Sequence, residues 1–153
     1  MSLGDELRYL RALHGGGNLM EIEDEIGLDP GALRHMEQRY RRVGEDDDVL
    51  AKIAAYYGVP LEKLQFHRER YRKALSAALH RALESGTIAR FELRTGETLT
   101  GWVRWWDLGA FGLEPEDSGP LTVVQRHAVL DWPMDNEEMA NEQMTNEQMT
   151  NKR

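Results

Sequence analysis

Apolar side chains recur at helical spacing through the first 66 residues. Leu3, Leu7, Leu10 and Leu13 fall on one face and predict an amphipathic helix that the glycines Gly15 to Gly17 end. Asn18 is a good N-cap for a second helix, with Leu19, Ile22 and Ile26 inward and Gly27 closing it. A third is expected to start at Asp29 as cap with Pro30 in its first turn, and to turn Leu33 and Met36 inward. Glu45 to Asp48 predict the acidic start of a fourth helix, whose buried stripe is Leu50, Ile53, Ala54 and Tyr57 before Gly58. Pro60 opens a short fifth through Leu61, Leu64 and Phe66.

After a basic stretch the pattern changes. Tyr71, Leu75, Ala78, Leu79, Ala82 and Leu83 form one more helical stripe, ending at Ser85-Gly86. The period then drops to two. Ala89, Phe91 and Leu93 alternate with Arg90, Glu92 and Arg94, as in a half-buried strand. Thr95-Gly96 predicts a hairpin turn, and a second strand over Thr98 to Trp106 carries Gly101 where a sharp bend is expected. Short strands follow near Ala110 to Leu113, Leu121 to Gln125 and Ala128 to Asp131, with Glu114 to Pro120 as a loop. The predicted class is therefore α+β: an all-α five-helix part, then a helix and a bent five-stranded antiparallel barrel.

Charge divides the chain differently. The 153 residues carry a net charge of -8, but not evenly. Residues 1–66 hold 8 basic and 13 acidic side chains, residues 67–130 hold 9 and 8, and residues 131–153 hold 2 and 6. The expected organisation is a helical domain over 1–66, a basic linker or helix start over 67–72, a barrel domain over 73–132 and an acidic, low-complexity, disordered tail over 133–153. That tail repeats NEQMT twice, and a five-residue step places its methionines on no single helical face. With no cysteine, no long apolar run and no secretory-type start, a cytoplasmic protein away from membranes is expected. The histidines have no metal-ligating spacing, no serine sits in a nucleophile elbow, and no glycine loop suits a nucleotide phosphate. No metal, cofactor or catalytic residue is expected.

Three segments carry a likeness: Leu7 to Arg11, Asn18 to Gln38 and Val49 to Leu64. In order and spacing they resemble the Cro/repressor (XRE) family of helix-turn-helix DNA-binding domains. The resemblance implies DNA contacts from Asn18, Arg34, His35, Gln38, Arg39, Arg41 and Arg42. It also implies an ion pair between Arg11 and Glu37. Pro30 and Gly31 stand at base-reading positions without hydrogen-bonding side chains. Glu23, inside the run Glu21 to Glu25, is expected to face the phosphates and repel them.

Thr95 to Gly101, Val103 to Asp107 and Gln125 to Asp131 follow the long helix in an order that resembles the bacterial Sm-like (Hfq) family. That family builds rings of six or seven subunits by pairing edge strands, and the likeness implies such a homo-oligomer here. It implies an RNA-lining set of Asp107, Gln125, Arg126 and His127, a core role for Trp106, and Trp102 and Trp105 partly exposed or at a subunit interface. Together the two likenesses imply a non-enzymatic regulator of transcription or of RNA, with DNA as partner and RNA as a second. The alternatives are an RNA binder acting through the Sm pore, or a protein scaffold with a degenerate helix-turn-helix.

Overall fold

The computed structural model describes residues 1–39 and 46–133. Among the described residues the fold is α+β, with six helices and one five-stranded sheet. The helices are α1 (Leu3–Leu13), α2 (Leu19–Ile26), α3 (Ala32–Gln38), α4 (Asp47–Tyr57), α5 (Leu61–Arg68) and α6 (Arg72–Ser85). The strands are β1 (Ile88–Leu93), β2 (Thr98–Trp106), β3 (Ala110–Pro115), β4 (Thr122–Gln125) and β5 (Val129–Asp131), with one 3-10 turn over Arg126–Ala128 between the last two. The expected tail beyond Pro133, and Arg41 and Arg42, lie outside the described residues.

Helices α1 to α5 pack around one apolar cluster in which Leu7, Leu33, Met36, Leu50, Ile53 and Leu64 are fully buried. Their ends follow local chemistry. Ser2, Asn18 and Asp46 each accept a backbone N–H as N-cap, and Gly27 and Gly58 close α2 and α4 in the left-handed conformation. Three expectations fail here. Leu13 is 63% exposed, because the helix ends before a fourth turn reaches the core. Phe66 also lies at the surface, under the Arg70 guanidinium. The third helix starts at Ala32 after Gly31 (φ 85°), and Asp29 does not cap it.

The sheet is wholly antiparallel, in the order β4-β3-β2-β1-β5, and curls into a half-barrel. Its concave core of Phe91, Val103, Phe111, Leu113, Val124 and Val129 packs on Leu75 and Leu79 of α6. The turn after β1 closes as its sequence predicts, with Gly96 at φ 88° and Leu93 N–H donating to Glu97 O. The expected bend at Gly101 is displaced. The register slips between Val103 and Trp105 instead, and Gly101 is needed for another reason: a Cβ there would overlap the Glu114 carbonyl of β3. Leu83, part of the apolar stripe of α6, is exposed. Trp132 is buried, Trp106 half-buried against the core, and Trp102 and Trp105 partly exposed.

The helical and sheet halves are tied by charge. Arg72 of α6 donates to both carboxylate oxygens of Asp5 (2.7 and 3.3 Å), and Arg70 reaches Asp131 at 2.6 Å. Glu6, almost fully buried, lies 2.9 Å from Lys63 Nζ, 3.6 Å from Arg94 Nη1 and 3.7 Å from His67 Nε2. The Met1 amine donates to the Leu130 carbonyl of β5 at 2.7 Å, and the buried His67 donates through Nδ1–H to the Met1 carbonyl at 2.9 Å. The stretch 67–72, expected as a basic linker or helix start, is therefore a packed junction: His67 and Arg68 end α5, and Arg72 begins α6.

Candidate nucleic-acid interface

Helix α3 carries the first candidate set. Leu33 and Met36 turn into the core, so Arg34, His35 and Gln38 turn outward, and Arg39 follows at the end of the helix. Arg39 Nε donates to His35 Nε2, which makes these two one unit. Asn18 is exposed, but its side-chain oxygen is already engaged by the Met20 N–H at 2.9 Å. The structure thus brings Arg34, His35 and Gln38 together on one short helix, with Arg39 directly after it.

Glu23 is the residue that sequence reasoning misplaced. It does not face outward. It is 2% exposed, and its carboxylate accepts the N–H groups of Gly31 (2.8 Å), Leu33 (2.9 Å) and Arg34 (3.2 Å). A carboxylate here meets orphan donors at the positive end of a helix, a stabilising arrangement. It replaces the missing side-chain cap of α3 and takes one negative charge off the surface beside Arg34. The neighbouring Glu21, Asp24 and Glu25 do remain exposed.

The ion pair expected between Arg11 and Glu37 is present. Arg11 Nε and Nη2 donate to Glu37 Oε1 and Oε2, each at 2.9 Å, with Glu37 nearly fully buried. This fork joins α1 to α3 and sets the tilt of α3 against the core; the hydrogen bond to Glu37 holds the Arg11 pKa above its ordinary value.

The second set surrounds the 3-10 turn. Gln125 and His127 are exposed on either side of Arg126, and Arg126 itself is buried. Its guanidinium donates to the carbonyls of Asp107 (2.8 Å) and Arg72 (3.0 Å) and to Ser76 Oγ (2.6 Å), and lies 5.8 Å from the Trp106 ring. Arg126 therefore clamps the β2–β3 loop, the 3-10 turn and α6 together. The carboxylate of Asp107 accepts the N–H groups of Gly109 and Ala110, which lowers its pKa, Ala110 contributing most. Arg126 is thus the buried member of this set, while Asp107, Gln125 and His127 are exposed.

No protein-family model matches the chain, and no curated protein matches it. Among the described residues no helix is long and apolar enough to cross a membrane.

Proposed function

We propose that this chain is a non-enzymatic nucleic-acid-binding regulator, in which an XRE-like helical domain contacts DNA and an Sm-like sheet domain assembles copies into a cytoplasmic ring of six or seven. The observation that carries the reading is the pair of open edges on the curled sheet. Among the described residues β4 pairs only with β3 and β5 only with β1, and the two are joined by a single turn. Open edges are aggregation-prone unless another chain covers them, and head-to-tail closure of identical copies removes both at once. On β4, Val123 is 61% exposed and Leu121 before it 47%, an apolar edge suited to a partner strand. The β5 edge is shorter and its Leu130 carbonyl already accepts from Met1, so apolar packing at β4 supplies much of the contact.

The DNA part of the proposal is supported by the outward cluster Arg34, His35, Gln38 and Arg39, together with the removal of Glu23 from the surface. Arg34 and Arg39 suit phosphates, while His35 and Gln38 are able to reach base edges. One such helix makes few contacts. Several held in one ring gain about 10²–10⁴ in avidity where their spacing fits the target. Light scattering on the intact protein at micromolar concentration tests the assembly, and gel-shift titration with mixed DNA at low salt tests the binding. A monomer defeats the ring; absence of any shift favours a protein scaffold.

RNA is the second reading, favoured by the exposed Gln125 and His127 at the 3-10 turn. Its test is the double variant Gln125→Ala/His127→Ala, which leaves the Arg126 clamp in place. Loss of uridine-rich RNA binding with DNA binding retained supports it, and equal retention of both excludes it.

A further inference from the structure

Between the helical and sheet halves lies a cavity of about 370 Å³. Its cationic walls come from both sides, Arg8 of α1, Arg70 and Arg72 at the junction and Arg126 at the 3-10 turn, and His127 adds an imidazole beside Arg126. Asp5 is the one acidic residue among the described residues that line it, and it is already held by Arg72. Small-molecule sites span roughly 300–1,000 Å³, so this cavity takes a compact ligand. Guanidinium forks match phosphate oxygens in shape as well as charge.

We propose that this cavity binds a small phosphomonoester, and that the bound ligand locks the helical half onto the sheet half. Arg126 is held in advance by the Asp107 and Arg72 carbonyls, so its ordering is complete before a ligand arrives. Arg8 and His127 are exposed and approach from opposite halves, one on α1 and one beside β5. Trp132, 4% exposed, forms another wall. The proposal stands on the junction alone and does not depend on the DNA or RNA reading.

The terminal phosphate that fits such a site is carried both by free sugar phosphates and by the end of a nucleic-acid chain. Calorimetric titration of the full chain with ribose 5-phosphate, ribose, inorganic phosphate and a 5′-phosphorylated RNA trinucleotide separates them. Ribose 5-phosphate is expected to bind, ribose is not, and Arg8→Ala and His127→Ala are each expected to weaken binding about tenfold or more. Arg104→Ala, at an exposed residue outside the cavity, is the control and should leave affinity unchanged. Ligand should also slow amide hydrogen exchange in α1. Equal affinity for ribose and its phosphate, no heat at about 10 mM ligand, or unchanged affinity in Arg8→Ala each overturn the site. A trinucleotide binding more than about tenfold tighter than the sugar phosphate overturns the small-ligand assignment, and binding without protection of α1 overturns the lock.

Discussion

Glu23 and Leu33 sit ten positions apart, and the carboxylate of the first accepts the backbone N–H of the second at 2.9 Å inside the core. With Gly31 and Arg34 on the same carboxylate, the start of α3 is held from α2 and not by its own sequence. Glu23→Ala leaves those donors unpaired and is expected to destabilise the protein by about 2–3 kcal/mol. Glu23→Gln keeps an acceptor but loses the charge, and should cost about 1 kcal/mol less than alanine. Urea midpoints of both variants decide this; no change in either rules out the capping role.

Arg11 and Glu37 form the second tie to α3. Arg11→Met strands a carboxylate whose side chain is 3% exposed, and the expected loss is about 3 kcal/mol. The double variant Arg11→Met/Glu37→Met should recover a good part of that loss, because no charge is then left buried without its partner. A double-mutant cycle by chemical denaturation measures the coupling. Additive losses would mean that the pair does not act as a unit.

Acid should loosen the junction before it melts either half. Burial lowers the His67 pKa below its ordinary 6.5, and burial lowers that of the Met1 amine from 8.0 to about 5. The groups around His67 are Glu6 of α1, Lys63 of α5, the Met1 amine and Arg94 after β1. Both shifted groups bind more protons unfolded than folded, so stability rises with pH across their windows. The contribution of His67 is complete above about pH 6.5 and declines below it, and that of the amine is complete above about pH 8 and declines as pH falls toward 5. Denaturation midpoints at successive pH values check this, and His67→Asn should flatten the slope below pH 6.5.

Val123→Lys tests assembly without touching the fold. The side chain is exposed on β4, so the monomer should change by less than about 0.5 kcal/mol. A lysine on an open edge opposes strand pairing. The expected outcome is a drop to monomer mass in light scattering with an unchanged far-ultraviolet spectrum.

Salt dependence separates phosphate contacts from other binding. Arg34→Ala/Arg39→Ala should lower the slope of log affinity against log salt by about 2. An unchanged slope counts against phosphate contacts at these two arginines.

Much of the fold was legible because the relevant signals are local. The alternation at Phe91 and Leu93, the caps Asn18 and Gly27 and the turn at Gly96 need no knowledge of distant residues. The failures share another origin. Glu23 reads as part of a solvated acidic run, although it lies four residues after Leu19 and three before Ile26, on the flank of the buried face. That phase was the available signal. Arg126 stands in the 3-10 turn, beyond the reach of strand alternation, and its burial depends on the distant Asp107, Arg72 and Ser76, while a resemblance to a nucleic-acid surface suggested exposure. The cluster of Glu6, His67 and Arg94 unites residues remote in the chain, and no spacing rule reports it. Leu13 is the last residue of its helix, and Phe66 and Leu83 lie off the buried faces that their neighbours His67 and Ala82 share.

The ties between Asp5 and Arg72, Glu6 and Arg94, and Arg70 and Asp131 limit how far the two halves swivel. In a closed assembly each α3 would then be a spoke, not a flail. The gap between neighbouring spokes is set by the protein's own framework, so a ligand with matching intervals should be gripped all at once and one out of step hardly at all. The molecule would measure length as much as it reads letters.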